Sequence, residues 1–222
     1  MKKIFYLQIL IVISFLFIQC EQKESDLGNN KIHEYVDLGL SVKWATCNVG
    51  ATKPEEYGDY FAWGEVESKK VYSWETYKYG NDSQELTKYC SRSDLGKNGF
   101  TDTRIILEPK DDAAKANWGG NWRMPTEEEI EELIDKCTWN WTQQNGTNGY
   151  KVVGPNANSI FLPAAGYTAE NSTGMYGSYW SSSLSTEYPF HSWVFYFNTD
   201  EVGLIESSRK CGSSVRPVYQ NK

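Results

Sequence analysis

The sequence has few of the residues that most catalytic sites and nucleic-acid interfaces require. It contains only two histidines, so a Ser-His-Asp or Cys-His arrangement would have to use His33 or His191. His33 lies near the N-terminal segment and His191 in an aromatic stretch, where we expect a surface or packing role for each. No basic run follows Lys2 and Lys3, and the formal net charge of −7 becomes −9 without these two lysines. Nucleic acid is therefore not an expected partner.

The N-terminus has the pattern of an export signal. Lys2 and Lys3 precede a mostly apolar run, residues 4–18, which is too short for a membrane span and typical of the core of a secretory signal. The run ends in FLFIQC, with Gln19 where a small residue is usual. This ending resembles a bacterial lipoprotein signal of the relaxed kind seen in Bacteroidota, which implies cleavage before Cys20 and lipidation of that thiol. An ordinary cleaved signal and an uncleaved anchor are the alternatives.

The sequence predicts three parts: a signal peptide (residues 1–19), a lipidated Cys20 with a polar, flexible tether (residues 20–30), and one domain (residues 31–222). A lipidated cysteine anchors a protein to a membrane without spanning it. The residues EQKE directly after Cys20 look like a surface-export signal. We therefore expect an envelope protein, held at the outer membrane and exposed at the cell surface, although the sequence leaves the membrane and leaflet open.

The remaining cysteines do not define a disulfide framework. Cys47, Cys90, Cys137 and Cys211 allow three full pairings, and their wide spacing favours none of them. An exported protein can keep disulfides, so paired and free thiols are both open.

The stretch from Trp118 to Cys137 carries the clearest secondary-structure signal. Thr126 is a good N-cap, and Glu129 three residues later completes a capping box. Behind it, apolar residues recur at helical spacing, at Ile130, Leu133, Ile134 and Cys137. Residues 111–118 are a second candidate helix, residues 66–110 are expected to form long loops with short strands, and most of the rest reads as short strands. The pattern predicts one compact α+β domain with few helices and many strands.

Five phrases of the sequence occur in an order that resembles a known family. They are YVDLGLSVKWATCNVGA from Tyr35, GGNWRMPTEEEIEEL from Gly119, SIFLPAAGY from Ser159, YWSSS from Tyr179 and SVRPV from Ser214. Together they resemble the Fibrobacter succinogenes major paralogous domain family of Bacteroidota lipoproteins over nearly all of residues 33–219. More distantly, RMPTEEEIEEL and GSSVRPV resemble segments of formylglycine-generating enzymes. That similarity implies a C-type-lectin-like fold, with twisted antiparallel strands, two short helices and long irregular loops.

The chemistry of these relatives does not carry over. Formylglycine-generating enzymes use a copper-binding cysteine pair five residues apart, whereas Cys211 stands alone with Arg216 five residues on. Soft Cu(I) needs thiolate ligands. Calcium-dependent lectins have Glu-Pro-Asn or Gln-Pro-Asp and a Trp-Asn-Asp strand, but here Glu108 and Pro109 are followed by Lys110, and Trp-Asn-Asp is missing. We expect no catalytic residues, no cofactor and no metal site.

Aromatic residues make up 15% of the chain, more than a minimal core requires. In a lectin-like fold several of them would surround the loops of the binding end, and the candidate ligand-binding residues are Trp139, Trp141, Tyr176 and Trp193. Aromatic rings offer rigid contact area with a polar edge at small entropic cost. The alternative is that these rings belong to the core, as we expect for Trp44, Trp122 and Trp180.

These features favour a surface lipoprotein whose domain binds a glycan or a surface protein without catalysis. A structural or assembly subunit of a surface appendage or envelope complex is the alternative, and an enzyme of the formylglycine-generating type is the least favoured. Arg123 and Arg216 are expected to form structural ion pairs, because each lies inside one of the family-like phrases.

Overall fold

The computed structural model describes residues 23–24, 33–168 and 172–220. The expected signal peptide and Cys20 lie outside these residues. Lys23–Glu24, within the expected tether, form a short strand paired with residues 33–34. Within the described part of the chain, none of the helices has the length and apolar character needed to span a membrane.

The described residues form eleven strands and two α-helices. The strands are β1 (Lys23–Glu24), β2 (His33–Val36), β3 (Lys43–Ala45), β4 (Trp122–Arg123), β5 (Thr138–Gln144), β6 (Thr147–Val153), β7 (Ser159–Pro163), β8 (Gly177–Leu184), β9 (His191–Phe197), β10 (Val202–Ser208) and β11 (Val218–Tyr219). The helices are α1 (Ala113–Trp118) and α2 (Glu127–Lys136). The predicted α+β class, with two short helices and long irregular loops, is confirmed.

The strands are arranged in three sheets. One has the order β1-β2-β3-β11-β4, and the other two are the antiparallel sheets β10-β9-β8 and β5-β6-β7. In the first sheet, Val218 of β11 pairs with Trp44 on one side and with Arg123 on the other. The C-terminal strand thus joins the start of the domain to the segment that precedes α2.

The sheet of β8, β9 and β10 separates two hydrophobic cores. Tyr179 and Phe195 face the core that α2 and the sheet β5-β6-β7 enclose, whereas Trp180 and Val194 face the core that contains α1. Successive side chains of a strand point to opposite faces, and all of β8 is buried. The run of small serines in YWSSS suits a strand packed on both faces.

Helix α2 forms as the sequence predicts. The Thr126 hydroxyl accepts a hydrogen bond from the Glu129 amide at 3.3 Å, and the Glu129 carboxylate accepts one from the Thr126 amide at 2.9 Å. Ile130 and Leu133 are buried in the core, as the apolar stripe indicates. Glu129 also accepts a hydrogen bond from Arg123 at 2.7 Å, which confirms the structural ion pair predicted for Arg123.

The ion pair predicted for Arg216 is wrong. Its guanidinium is buried and donates to the Asn48 side-chain oxygen at 2.8 Å. Its other donors reach three backbone carbonyls, those of Ala45, Thr46 and Phe161, at 2.8–3.0 Å. Carbonyl dipoles and an amide, rather than a carboxylate, satisfy this charge, because the end of β3 and the middle of β7, which belong to different sheets, present their carbonyls to it.

The chain from β3 to α1 has the long loops expected over residues 66–110, but the short strands expected there are reduced to isolated β-bridges such as Gly80 to Leu86 and Ile106 to Ser183. It also contains short 3-10 turns at Trp74–Thr76, Lys97–Gly99 and Pro109–Asp111. The cysteines after Cys20, at positions 47, 90, 137 and 211, are free thiols.

Candidate functional site

Two of the predicted ligand-binding rings, Trp139 and Trp141, lie on β5 and close one side of a core. The ring of Trp139 lies 5.5 Å from Tyr150 and 5.4 Å from Phe195 between centroids. Trp141 contacts Tyr150 at 5.1 Å. Both tryptophans are partly buried, so each ring combines a packed side with an accessible side.

Trp193 and Tyr176 lie on opposite faces of the central sheet. Trp193 is on β9, on the same face as Phe195, and is paired with Glu206 of β10. Tyr176 directly precedes β8 and contacts Tyr196 of β9, which faces the other way. The structure therefore brings Trp139 and Trp141 against one core, places Trp193 on the same face of β9 as Phe195 of that core, and places Tyr176 in a separate cluster.

Tyr176 belongs to a cluster of half-buried rings that we call the tyrosine surface: Tyr167, Tyr176 and Tyr196. The centroids of Tyr167 and Tyr176 are 5.9 Å apart, and those of Tyr176 and Tyr196 are 5.3 Å apart. The neighbouring Met175 is 65% exposed. Three contacting rings on one partly open surface provide a site for a ligand with an apolar face.

The flank of Tyr196 is left uncovered by a glycine. Gly203 of β10 is the direct cross-strand partner of Tyr196, and a Cβ atom added at Gly203 would meet no heavy atom within 4 Å. Directly opposed residues share a face of the sheet, so the absence of a side chain at Gly203 exposes the ring beside it.

Backbone and side-chain hydrogen bonds hold the tyrosine surface in place. The carbonyl of Tyr176 accepts a hydrogen bond from the Gly166 amide at 2.7 Å. The side-chain amide of Asn198 donates to the Tyr196 hydroxyl at 3.1 Å, while its oxygen accepts from the Asp200 amide at 2.8 Å. The ring and its polar edge are thus fixed by the turn that connects β9 to β10.

Sequence reasoning missed Tyr196 and Gly203. The alternation in HSWVFYF places Tyr196 on the face opposite Phe195, and that signal alone could have singled it out. No local signal pairs it with Gly203, because the register depends on the whole β9–β10 hairpin.

A cavity of about 610 Å³ lies between α1, β4, the start of α2 and residues 106–109. Its apolar lining includes Ile106, Leu107, Pro109 and the edge of Trp122. Lys115 and Arg123 are the basic residues of its lining. Trp122 is 5% exposed, in agreement with its predicted place in the core.

The acidic residues near the Glu108-Pro109-Lys110 phrase already have a cationic partner. The ammonium of Lys88 donates to the carboxylates of both Glu108 and Asp111. Burial raises the pKa of Asp111, but hydrogen bonds from Lys88, Tyr79 and Tyr89 outweigh it and lower that pKa to about 2. The described residues contain no group of three or more His, Cys, Asp or Glu side chains placed to hold a metal ion.

Both histidines pack against aromatic rings. His33 stacks on Trp118 at 3.8 Å between centroids, and His191 lies 4.5 Å from Phe190. Burial lowers the pKa of His191, although the Glu206 carboxylate at 3.9 Å opposes that shift. These contacts agree with the packing role expected of the two residues.

One family model matches the sequence. It is described as the Lcl C-terminal domain and covers residues 36–219. No curated protein and no solved structure matches the chain, so the resemblance to the Fibrobacter succinogenes major paralogous domain, to formylglycine-generating enzymes and to C-type lectins stays a prediction. Because the match spans most of the sequence, the chain belongs to the Lcl C-terminal domain family.

Proposed function

We propose that the protein is a lipid-anchored module of the cell envelope that binds a glycan, without catalysis, through the tyrosine surface. Membership in the Lcl C-terminal domain family supports a cell-surface or lipoprotein type of module. The N-terminal run that ends at Cys20 supports export and lipidation, and attachment to the outer membrane is part of the proposal. The proposed module needs no cofactor and no metal.

The observation that carries the proposal is the contact of three half-buried tyrosine rings beside an exposed strand face. A sugar ring has an apolar C–H face and a rim of hydroxyls, so it matches a ring that offers a flat face and a polar edge. Tyrosine loses little side-chain entropy on binding, because only two torsions must be fixed. The turn at Asn198 also places the Glu201 carboxylate near Tyr196, where it accepts from Asn198 at 3.3 Å and has further acceptor capacity for sugar hydroxyls.

The test is binding of the purified protein to a broad panel of host and microbial glycans, with and without calcium. We expect a saturable, calcium-independent signal that falls at least about tenfold in Tyr176→Ala and Tyr196→Ala, since aromatic contacts dominate such interfaces. Tyr188→Ala is the matched control, because Tyr188 is also partly exposed but contacts Phe190 and His191 instead.

Gly203→Val offers a second test that does not remove a ring. The new side chain would lie in the open space beside Tyr196 and should block the ligand while β10 remains intact. Full binding by Gly203→Val and by both alanine variants would refute the tyrosine surface as the site. If Trp139→Ala, Trp141→Ala or Trp193→Ala abolished binding instead, the ligand would bind at the other predicted set of rings.

The assembly alternative has one observation in its favour. Within the described sheets β10 is an edge strand, and its Ile205 is 43% exposed. An edge strand with an exposed apolar side chain can pair with a strand of another chain. Cross-linking on intact cells distinguishes this outcome, since a protein partner captured through β10, together with a blank glycan panel, would favour the structural role.

A further inference from the structure

A second binding site, separate from the tyrosine surface, lies in the cavity of about 610 Å³ beside α1 and β4. That volume is in the range of small-molecule sites, which are roughly 300–1,000 Å³. The tyrosine surface contributes no residue to its lining.

One wall of the cavity is apolar and fixed. Ile106 is 41% exposed, yet it forms a bridge to Ser183 of β8, and the Leu107 amide donates to the Ser182 carbonyl at 3.0 Å. Because backbone bonds fix the position of Ile106, its side chain remains partly exposed to water. An apolar ligand that packs against it buries this apolar surface without a change in the backbone conformation.

Two of the three charged side chains that line the cavity, Asp112 and Arg123, already have partners within the protein. The carboxylate of Asp112 is buried, with its two oxygens accepting from the amides of Lys115 and Met124 at 2.9 Å each. The guanidinium of Arg123 is neutralised by Glu129. Both groups are therefore already satisfied within the fold.

Lys115 differs from these groups. Its ammonium donates to the Gly120 carbonyl, and within the described residues no carboxylate lies within 4.0 Å of it, although other lysines of this region have such partners. An ammonium has three donors, so Lys115 can bond a further acceptor. It is a cation in the lining of a mostly apolar cavity, without a direct ion pair to a carboxylate of the described residues.

We propose that this cavity binds a small amphipathic carboxylate, with its apolar body against Ile106, Leu107 and Pro109 and its carboxylate on Lys115. Such a group could be a free organic acid or the C-terminal residue of a peptide, since both present one carboxylate beside an apolar side chain. Asn121 and Gln220 also line the cavity. The Asn121 amide donates to the Tyr219 hydroxyl and the Gln220 side-chain oxygen accepts from Arg123, so the Asn121 side-chain oxygen and the Gln220 amide hydrogens are the groups that can bond a polar atom of the ligand.

The test compares 4-phenylbutyrate with its uncharged analogue 4-phenylbutanamide in titrations of the purified protein, followed by calorimetry and by shifts of the Trp122 indole and Gln220 amide signals. We expect the acid to bind saturably and the amide about tenfold more weakly, the usual effect of losing one charge-assisted hydrogen bond. The dipeptide Gly-Phe, with free and amidated C-termini, forms the second arm. Preference for the free dipeptide over 4-phenylbutyrate identifies a peptide terminus, and the reverse identifies a small acid.

Lys115→Met keeps the aliphatic stem and should reduce the affinity for the acid to that for the amide. Lys110→Met removes the same charge from a neighbouring exposed position outside the cavity and should change neither affinity by more than about twofold. Ile106→Asp should abolish binding of both compounds. Equal affinity for acid and amide, unchanged acid binding in Lys115→Met, no binding of either compound at millimolar concentration, or shifts confined to signals away from the cavity would each overturn the proposal.

Discussion

The buried guanidinium of Arg216 should be among the most sensitive positions of the domain. It is 1% exposed and joins the ends of three segments that are far apart in the sequence. Its donors reach the Asn48 side chain and the carbonyls of Ala45, Thr46 and Phe161. Arg216→Met retains most of the volume and removes every one of these bonds.

The expected loss of stability in Arg216→Met follows from the four buried acceptors that lose their hydrogen-bond donor. Each buried acceptor that loses its donor costs about 1–3 kcal/mol. Four acceptors would give a total of several kcal/mol, and the relief of no longer burying a charge offsets part of it. We expect a net loss of about 4 kcal/mol in the free energy of unfolding, a large fraction of the ~5–15 kcal/mol typical of a domain. Arg216→Lys should lose less, because its ammonium has three donors and can serve at most three of the four acceptors.

Urea denaturation of the purified protein measures this effect. With a slope of roughly 2–3 kcal/mol per molar urea, the midpoint of Arg216→Met should lie more than about 1 M below that of the unmodified protein. Arg92→Met is the matched control, because Arg92 is 44% exposed and pairs with Asp94 on the surface, where solvent screens the pair and its contribution to stability is small. If Arg216→Met lost no more stability than Arg92→Met, the role assigned to the guanidinium would be refuted.

Four further predictions concern single positions. The pKa of Asp111 is about 2 in the folded state, against an ordinary 3.8 that we assume for the unfolded chain. The ionised carboxylate should therefore add roughly 2 kcal/mol to the free energy of unfolding above pH 4, and this contribution should be lost as the pH falls toward 2. Denaturation across that range should show a smaller pH slope for Asp111→Asn, and an equal slope would contradict the assignment. Thr126→Ala should cost about 1 kcal/mol through loss of the cap, read as a lower melting temperature, and an unchanged value would contradict it. Gly203→Val should raise stability by about 0.5–1 kcal/mol, since a strand favours a β-branched residue over glycine, and a loss would show that the space beside it is not open. Burial raises the pKa of Cys137 to about 11, so little of this thiol is ionised at pH 8. Iodoacetamide should therefore modify Cys137 only slowly until the protein unfolds, which peptide mass spectrometry can follow. Rapid alkylation of Cys137 in the folded protein would contradict this prediction.

The features that were predictable from sequence are those encoded locally. Thr126 and Glu129 are three residues apart, and the apolar stripe behind them spans fewer than three turns, so the helix and its cap are visible in a short window. The same holds for the pairing of Arg123 with Glu129, six residues away. Short-range patterns of this kind are resolved before any tertiary contact is known.

The features that sequence reasoning missed depend on distant partners. The donors of Arg216 reach acceptors 55 to 171 positions away, and nothing around Arg216 indicates that it binds carbonyls rather than a carboxylate. The tyrosine surface depends in the same way on the register of β9 against β10, which places Gly203 beside Tyr196. The cavity is formed by segments that are distant in the sequence. No sequence pattern therefore indicates that Lys115 lines a cavity.

Arg209 explains how the domain keeps a long irregular region in one conformation. A loop of this length usually lacks a fixed structure unless its own side chains pack it, and the segment before α1 is joined to β8 only near residues 105–107. The buried guanidinium of Arg209 donates to the carbonyls of Lys88 and Tyr89 at 3.0 Å and to the Tyr77 hydroxyl at 2.9 Å. A single side chain at the end of β10 thereby satisfies backbone groups that a sheet would otherwise pair.

Asp111 does the same from the opposite side of this region, since its carboxylate accepts from the hydroxyls of Tyr79 and Tyr89. Tyr89 is therefore held through its carbonyl by Arg209 and through its hydroxyl by Asp111. Buried charges with polar partners replace regular secondary structure as the scaffold here. This interior scaffold also positions the wall of the cavity at residues 106–109, since Leu107 is packed in the same core and Glu108 accepts from Lys88.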